Sequence, residues 1–543
     1  MRSAYRLEGS DVFDLVSSAT REVSRSLGYG ETFLDPGDVS TRSLVSYRFY
    51  EEGLQSFVRG DYRAAHRLFD AALKEDSNFA MAAYYRWLSK APIGMAQQPG
   101  EVERVSRLAE RATERERLLI RGFVAIATQA PDLLAIAETL AVRYPAEVDG
   151  HYLLGFGRQV QGEYALAIPH FRRVMEQDST GAQSAGRCRW CDAVEQLTYA
   201  YHALDSLAAA ERLLRGWIAR DSSSIRPWVM LGTVLAATNR PGEAREAWRR
   251  ATATPLNLYD EIFPSSVQII EGDFGAADQS LQVLRQSNRN VAGQARWQQG
   301  ISLRYQARWN DALRLLRSRS AELSDADRSG DLGYLPKLAE GLVLFEAGQR
   351  RPAIRLWDSI ARRPNPVLRG GGLARRQTYL HVLITEAAAG EGDTSLANRA
   401  ADSARVVAER GGNPRDARMA LHARGLALLA RGDTAGAIDT LTRAIFSPTV
   451  GFTRSNLVLG RLLQAYGRPG EAIGWLRPAL RGTLEGANLY VTLTEVHEEV
   501  ARAYAATGQT DSARVHWSYV AKALSHSDPG ARDRLERARA ALR

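Results

Sequence analysis

The stretch YEEGLQSFVRGDYRAAHRLFDAAL, from Tyr50 to Leu73, places small residues and one aromatic ring at fixed intervals. A first glycine and the alanine twelve residues later suit the point where two antiparallel helices touch, because only small side chains let the backbones approach closely. A second glycine suits the end of the first helix, where a left-handed conformation is needed. The stretch therefore predicts one helical hairpin. Its marker residues are Gly53, Gly60, Ala65, Phe69 and Ala72.

The same spacing recurs along the chain, so the hairpin is a repeat. Weaker copies centre on Ala210, Ala277, Ala312, Ala397 and Ala513. Between Ala65 and Ala167 there is room for two more hairpins, where helical periodicity continues without the glycines. Because one hairpin cannot bury its apolar face alone, the repeats are expected to stack. The clearest copies contain Gly155, Gly162, Ala167 and Phe171; Gly232, Ala244, Trp248 and Ala251; Gly341, Gly348, Ala353 and Trp357; Gly425, Gly432, Ala437 and Ala444; and Gly460, Gly467, Ala472 and Ala479.

This pattern resembles the tetratricopeptide repeat, whose signature has Gly, Ala, an aromatic residue and Ala at these intervals. The resemblance covers residues 46–524. It implies an all-α fold, a right-handed superhelix (α-solenoid) of about 11–13 helical hairpins with a concave groove. Residues 1–45 precede this array as a lead-in, and residues 525–543 are predicted to cap it with a final helix beginning near Pro529.

The lead-in contains an amphipathic helix that needs a partner for its apolar side. Together with the first hairpin and the run ATERERLLIRG, residues 112–122, it resembles the C-terminal region of bacterial multidomain signalling proteins. In these, a serine/threonine kinase, adenylate cyclase or winged-helix output domain precedes a small α/β domain and then tetratricopeptide repeats. The helix would be the last element of that α/β domain. Its apolar stripe comprises Val12, Leu15, Val16, Ala19, Val23 and Leu27.

The motifs of the kinase class are missing from the sequence. It has no glycine-rich kinase loop, no HRD or DFG triplet and no phosphate-binding loop. The sequence VHEEVARAY around His497 has Ala501 where a zinc protease needs a second histidine. We therefore expect no catalytic residue, no cofactor and no metal, and hence a chain that is not an enzyme unless a kinase domain precedes it.

Charge and hydropathy limit the other classes of function. The net charge is +9, but arginine alternates with acidic residues along the whole chain, which is typical of solvated helix faces, so nucleic-acid binding is not expected. No apolar run approaches the roughly 20 residues that span a bilayer, and no secretory signal is evident. The chain as written is expected to be cytoplasmic without membrane contact, or periplasmic if a transmembrane segment precedes it.

The two cysteines, Cys188 and Cys191, have a spacing used in redox and metal sites. A zinc site needs about four ligands, and the chain has no second cysteine pair. Three alternatives remain open here: small packing residues, a local disulfide, or a metal site.

The tetratricopeptide resemblance implies that the first helix of each hairpin lines the groove, through positions three before, one after and four after the marker residue. The Lys and Asn set with which some family members hold a peptide carboxylate is absent. We expect a protein or peptide ligand with apolar anchors, although several of the aromatic residues could instead pack between hairpins. The chain would be a partner-docking scaffold of a signalling protein, or alternatively a freestanding assembly factor for one client. The predicted groove residues are Tyr50, Leu54, Phe57, Tyr152, Phe156, Gln159, Glu195, Tyr199, His202, Trp297 and Arg304.

Overall fold

The computed structural model describes most of the chain, and the described part is helical. Within it, 28 α-helices and no β-strand occur. Two of the residues singled out above, Leu27 and Gly60, lie outside the described residues. The described residues are 12–26, 39–59, 61–90, 93, 95, 100–179, 188–252, 263–287, 292–318, 331–362, 370–482 and 490–543.

The chain forms two compact units, residues 1–197 and 198–543, and the boundary falls within one helix. The helices up to that point are α1 (Val12–Ser26), α2 (Leu44–Val58), α3 (Tyr62–Glu75), α4 (Ala80–Leu88), α5 (Glu101–Ala109), α6 (Glu114–Thr128), α7 (Leu133–Arg143), α8 (Val148–Val160), α9 (Tyr164–Gln177) and α10 (Arg189–Ala203).

The second unit continues from the end of α10 with eighteen further described helices. They are α11 (Leu207–Arg220), α12 (Arg226–Ala237), α13 (Pro241–Thr252), α14 (Phe263–Glu271), α15 (Phe274–Ser287), α16 (Ala292–Tyr305), α17 (Trp309–Arg317), α18 (Asp331–Glu346), α19 (Arg350–Ala361), α20 (Gly370–Gly390), α21 (Thr394–Gly411), α22 (Pro414–Ala430), α23 (Thr434–Ala444), α24 (Arg454–Ala465), α25 (Pro469–Ala479), α26 (Leu493–Ala506), α27 (Thr510–Ala523) and α28 (Arg532–Leu542).

Helices α2 to α27 pair consecutively into thirteen hairpins in the described part of the chain, which agrees with the count from the sequence. The pairs α4 with α5 and α6 with α7 are the two that lack the marker glycines. The alanine at the close-contact position is buried in all eleven recognisable hairpins. These alanines are Ala65, Ala167, Ala210, Ala244, Ala277, Ala312, Ala353, Ala397, Ala437, Ala472 and Ala513.

The first glycine of each clear repeat faces the large side chain sixteen residues later. A Cβ atom added at Gly53 would lie 2.7 Å from the Phe69 ring, and one added at Gly155 would lie 2.7 Å from the Phe171 ring. Real Cβ atoms essentially never approach other heavy atoms that closely. The glycine is therefore needed because the ring of the second helix occupies the space where its side chain would be.

The second glycine ends the first helix as predicted. Gly162 and Gly432 have φ angles of 78° and 83°, in the left-handed region that side chains resist. In the hairpin of α12 and α13 the same place is taken by Asn239, with φ of 59°. Asparagine tolerates this conformation better than most residues, so the turn forms without a glycine.

Helix α1 packs through a different side from the predicted apolar stripe. Phe13 is buried and meets Tyr47 edge to face, with ring centroids 5.4 Å apart. Ser17, one turn further on, is buried too. The residues of the stripe that are left exposed are Val12, Leu15, Val16 and Val23.

The buried histidine of α22 makes stability depend on pH. His422 is fully buried, and its Nδ1 lies 2.8 Å from the Ser455 hydroxyl. Burial lowers the pKa of His422 to about 4, whereas an unfolded chain keeps a histidine pKa of about 6.5. Between these values only the unfolded state takes up the proton, so the stabilising effect of the neutral histidine is present above pH 6.5 and is lost as the pH falls.

We therefore predict that His422 contributes a loss of about 2 kcal/mol in the free energy of unfolding between pH 7 and pH 5. Urea unfolding of wild type and His422→Gln at both pH values measures this. The wild type should lose more stability on acidification than the variant does. Equal losses in the two proteins would show that His422 titrates normally.

Candidate partner-binding site

The predicted groove residues of the first unit lie mostly between hairpins. Tyr50, Leu54, Tyr152 and Gln159 are buried, while Phe57 and Phe156 are half-buried. The Tyr50 ring lies 4.8 Å from the Phe79 ring and 6.0 Å from the Phe69 ring, centroid to centroid. These contacts match the alternative in which the aromatic residues pack hairpin on hairpin. Their role in partner binding stays a prediction.

A buried arginine at the start of α10 explains part of this packing. Arg189 forms ion pairs with Asp149 and Asp192, and its guanidinium lies over the Tyr152 ring, 4.6 Å from the centroid. Burial alone would lower the pKa of Arg189, but attraction to Asp149 and Asp192 raises it overall. Tyr152 is therefore enclosed by a charged core contact and is not available as a surface.

The cysteines lie at the same end of α10. The sulfur atoms of Cys188 and Cys191 are 1.99 Å apart, a disulfide within the first turn of the helix. The Cys191 amide also donates a hydrogen bond to the Cys188 sulfur, at 3.1 Å. Among the described residues, no group of three or more His, Cys, Asp or Glu side chains is placed to hold a metal ion.

The second unit contains an apolar cavity of about 240 Å³, which includes two of the predicted groove residues. Tyr199 is 37% exposed at the cavity, and His202 is buried beside it. The walls come from the first helices of three consecutive hairpins, α10, α12 and α14, as the repeat resemblance implies for a groove. The lining includes Thr198, Val229, Met230, Thr233, Trp248, Ser266, Ile270 and Leu480.

The remaining wall comes from residues 480–482, which are distant in the sequence. His202 Nε2 lies 2.6 Å from the Arg481 carbonyl oxygen, and the Arg481 guanidinium forms an ion pair with Asp205 at 2.5 Å. The Ser447 hydroxyl donates to the Ala203 carbonyl at 2.7 Å. The cavity is therefore closed by fixed polar contacts, and sequence reasoning missed this wall because its residues carry no repeat signal.

The imidazole of His202 is held neutral in this setting. Burial lowers its pKa, although the hydrogen bond to the Arg481 carbonyl acts in the opposite direction. A neutral ring leaves the cavity wall without a charge. The site is therefore suited to an apolar group rather than to an anion.

The other predicted groove residues are not part of this cavity. Glu195 and Trp297 are half-buried, and Arg304 is fully buried in an ion pair with Glu346. A partner could not reach Arg304 without displacing its neighbours. Its partner contact stays a prediction, and the structure gives it a role in the core.

The comparisons with known proteins give little beyond the fold class. The sequence matches no protein-family model and no curated protein sequence. No helix in the described part of the chain has the length and apolarity to cross a membrane.

Two solved structures are similar in the order of their helices. The crystal structure of yeast Tom70 shares 12% identity, with 86% of this chain and 96% of that chain covered and a TM-score of 0.35. The crystal structure of the APC/C hetero-tetramer Cut9-Hcn1 shares 15% identity, with coverage of 91% and 96% and a TM-score of 0.28. Scores this low carry no argument about function. The hairpins themselves make this chain an all-α helical repeat protein with a tetratricopeptide-like fold.

Proposed function

We propose that the chain is a protein-binding scaffold and that the apolar cavity of its second unit receives one bulky apolar side chain from a segment of the partner. The observation that supports this most strongly is the cavity itself, on first helices, with Tyr199 partly exposed at it. Aromatic residues at a pocket of this kind are frequent hot spots of protein binding.

The size of the cavity favours a side chain over a metabolite. Pockets for drug-sized ligands are about 300–1,000 Å³, and this cavity has about 240 Å³. Its polar groups are few and already engaged: the Thr233 hydroxyl donates to the Val229 carbonyl, and the Trp248 indole N–H donates to the same oxygen at 3.0 Å. A single leucine, methionine or aromatic side chain meets these requirements.

The proposal includes a biological setting. The chain would serve as the sensory or partner-docking region of a bacterial signalling protein, which is supported by the resemblance of the lead-in and first hairpin to such proteins. The alternative is a freestanding assembly factor that uses the same cavity for one client. Sequencing the reading frame upstream of Met1 separates the two, since only the first requires an output domain there.

The binding proposal is tested with a phage-displayed library of random 12-residue peptides, panned on the full chain. Enriched peptides are synthesised with a fluorophore, and their Kd is measured by anisotropy. We predict that they share a bulky apolar residue and that Thr233→Phe, which fills the cavity, weakens binding at least about tenfold.

A matched control is available on a surface helix. Thr139 is exposed on α7, and its hydroxyl donates to the carbonyl four residues before it, as that of Thr233 does. Thr139→Phe should leave the Kd within about twofold of the wild-type value. Peptides that bind Thr233→Phe as tightly as wild type, or no enrichment over a bare surface, would count against the cavity as the binding site.

A further inference from the structure

A second, charged cleft lies near the C-terminal end of the second unit. It has a volume of about 620 Å³ and is formed by α24, α26 and the final helix α28. Its lining contains four arginines and three glutamates: Arg461, Arg502, Arg534 and Arg537, and Glu495, Glu498 and Glu499. Four of these side chains lie at groove positions of the last two hairpins, so the cleft belongs to the face that the repeat resemblance assigns to ligands.

The two signs of charge are at different depths. The glutamate side chains are only 5 to 12% exposed, whereas the arginine side chains are 23 to 51% exposed. The carboxylates therefore form the floor of the cleft, and the guanidinium groups form its accessible surface. A ligand that enters the cleft meets positive charge first.

The floor glutamates are already satisfied by these arginines. Glu498 accepts from Arg502 at 2.6 Å, from Arg534 at 2.7 Å and from Arg537 at 3.3 Å. Glu499 accepts from Arg461 at 2.8 Å and from the Gln464 amide at 3.3 Å. An arginine has five N–H donors, so these contacts leave donors on the guanidinium groups that face the cleft.

Ionisation of the floor keeps the arginines in place. Burial raises the pKa of Glu495, but Arg454, Arg461 and Arg534 together lower it to about 2. The pKa of Glu498 is likewise lowered, because attraction to Arg534 and Arg502 outweighs the effect of burial. The glutamates thus remain anionic at neutral pH and orient the guanidinium groups.

One donor in this cluster has no partner. Arg534 Nη2 is buried and makes no hydrogen bond to any described residue. A buried guanidinium N–H without an acceptor is costly, and an acceptor oxygen from a ligand would relieve that cost. This is an observation that points to an oxyanion in the cleft.

We infer that this cleft binds an acidic segment of a partner protein, through aspartate or glutamate carboxylates held by the four arginines. The planar guanidinium fork matches a carboxylate with two parallel hydrogen bonds. A net charge of +9 on the chain favours an acidic partner as well. The inference rests on the proposed function only in taking the ligand to be a protein segment; it does not require the apolar cavity.

The experiment uses two fluorescent peptides on the full chain, hexaglutamate and hexaglutamine, with anisotropy as the readout. Hexaglutamate should bind and hexaglutamine should not, and the affinity should fall as salt rises from 50 to 300 mM because the guanidinium groups are exposed. The double variant Arg502→Gln/Arg537→Gln should weaken hexaglutamate binding at least about tenfold. Glu498 keeps Arg534 as its partner in that variant, so folding should be retained, as circular dichroism will show.

Matched controls separate this inference from the proposed function. Arg405 and Arg443 are exposed arginines, each paired with an acid four residues away, on α21 and α23. Arg405→Gln/Arg443→Gln and the cavity variant Thr233→Phe should both leave hexaglutamate binding unchanged. Equal binding of hexaglutamine, full binding by Arg502→Gln/Arg537→Gln, or displacement by inorganic phosphate at equal charge would overturn the inference. Equally tight binding of a 20-nucleotide single strand would overturn it in favour of nucleic acid.

Discussion

Gly341→Leu is expected to lower the free energy of unfolding by about 3 kcal/mol or more, since overpacked cores lose stability on this scale. A Cβ atom at Gly341 would lie 2.6 Å from Cε2 and 2.7 Å from Cδ1 of the Trp357 indole. Trp357 is fully buried, and its Nε1 is 3.4 Å from the Leu338 carbonyl. The ring cannot move aside without losing that contact, so helices α18 and α19 would have to separate.

The matched control has the opposite sign. Gly474 lies within α25, and a Cβ atom there would meet nothing within 4 Å. Gly474→Leu should raise the free energy of unfolding by a few tenths to about 1 kcal/mol, because leucine favours helix more than glycine does. Urea unfolding followed by circular dichroism measures both variants. Equal effects of the two substitutions would show that Gly341 is not a close-contact position.

The hairpins could be predicted because their signals are local. Gly341 and Trp357 are sixteen residues apart, and the steric need that links them recurs in every clear repeat. The polar contacts that join distant hairpins gave no such signal: the Tyr519 hydroxyl donates to the Ile269 carbonyl at 2.9 Å, and the Thr494 hydroxyl donates to the Tyr305 carbonyl at 2.6 Å. Which threonine or tyrosine meets which carbonyl depends on small rotations summed over many hairpins, so the spacing within one hairpin does not determine it.

The same limit applies to the groove residues. Leu54 and Tyr199 occupy the same repeat position, one residue after the marker, yet Leu54 is buried and Tyr199 is partly exposed. The repeat register fixes which way a side chain leaves its helix. What it meets depends on the next hairpin, and in the first unit Phe79 and Tyr85 of that region fill the space beside Tyr50. Burial at groove positions is therefore a property of neighbouring hairpins.

Arg304→Met is the second substitution with a large expected effect, a loss of about 3–5 kcal/mol in the free energy of unfolding. The guanidinium and the Glu346 carboxylate are both buried, with Arg304 Nε 3.2 Å from each carboxylate oxygen. Methionine fills much of the space but leaves Glu346 as an unpaired buried charge. The loss should come from that stranded charge rather than from the ion pair, which in the wild type must also overcome the desolvation of two ions.

This reasoning gives a test that a packing defect would fail. The double variant Arg304→Met/Glu346→Leu should recover most of the lost stability, because no charge remains to be desolvated. Burial raises the pKa of Glu346 even while Arg304 lowers it, so without Arg304 the folded-state pKa rises further above the unfolded value. The folded variant then takes up a proton more readily than the unfolded chain, and its deficit relative to wild type should shrink as the pH falls from 7 to 5. A deficit that is constant with pH and persists in the double variant would mean that the side-chain volume of Arg304 matters and its charge does not.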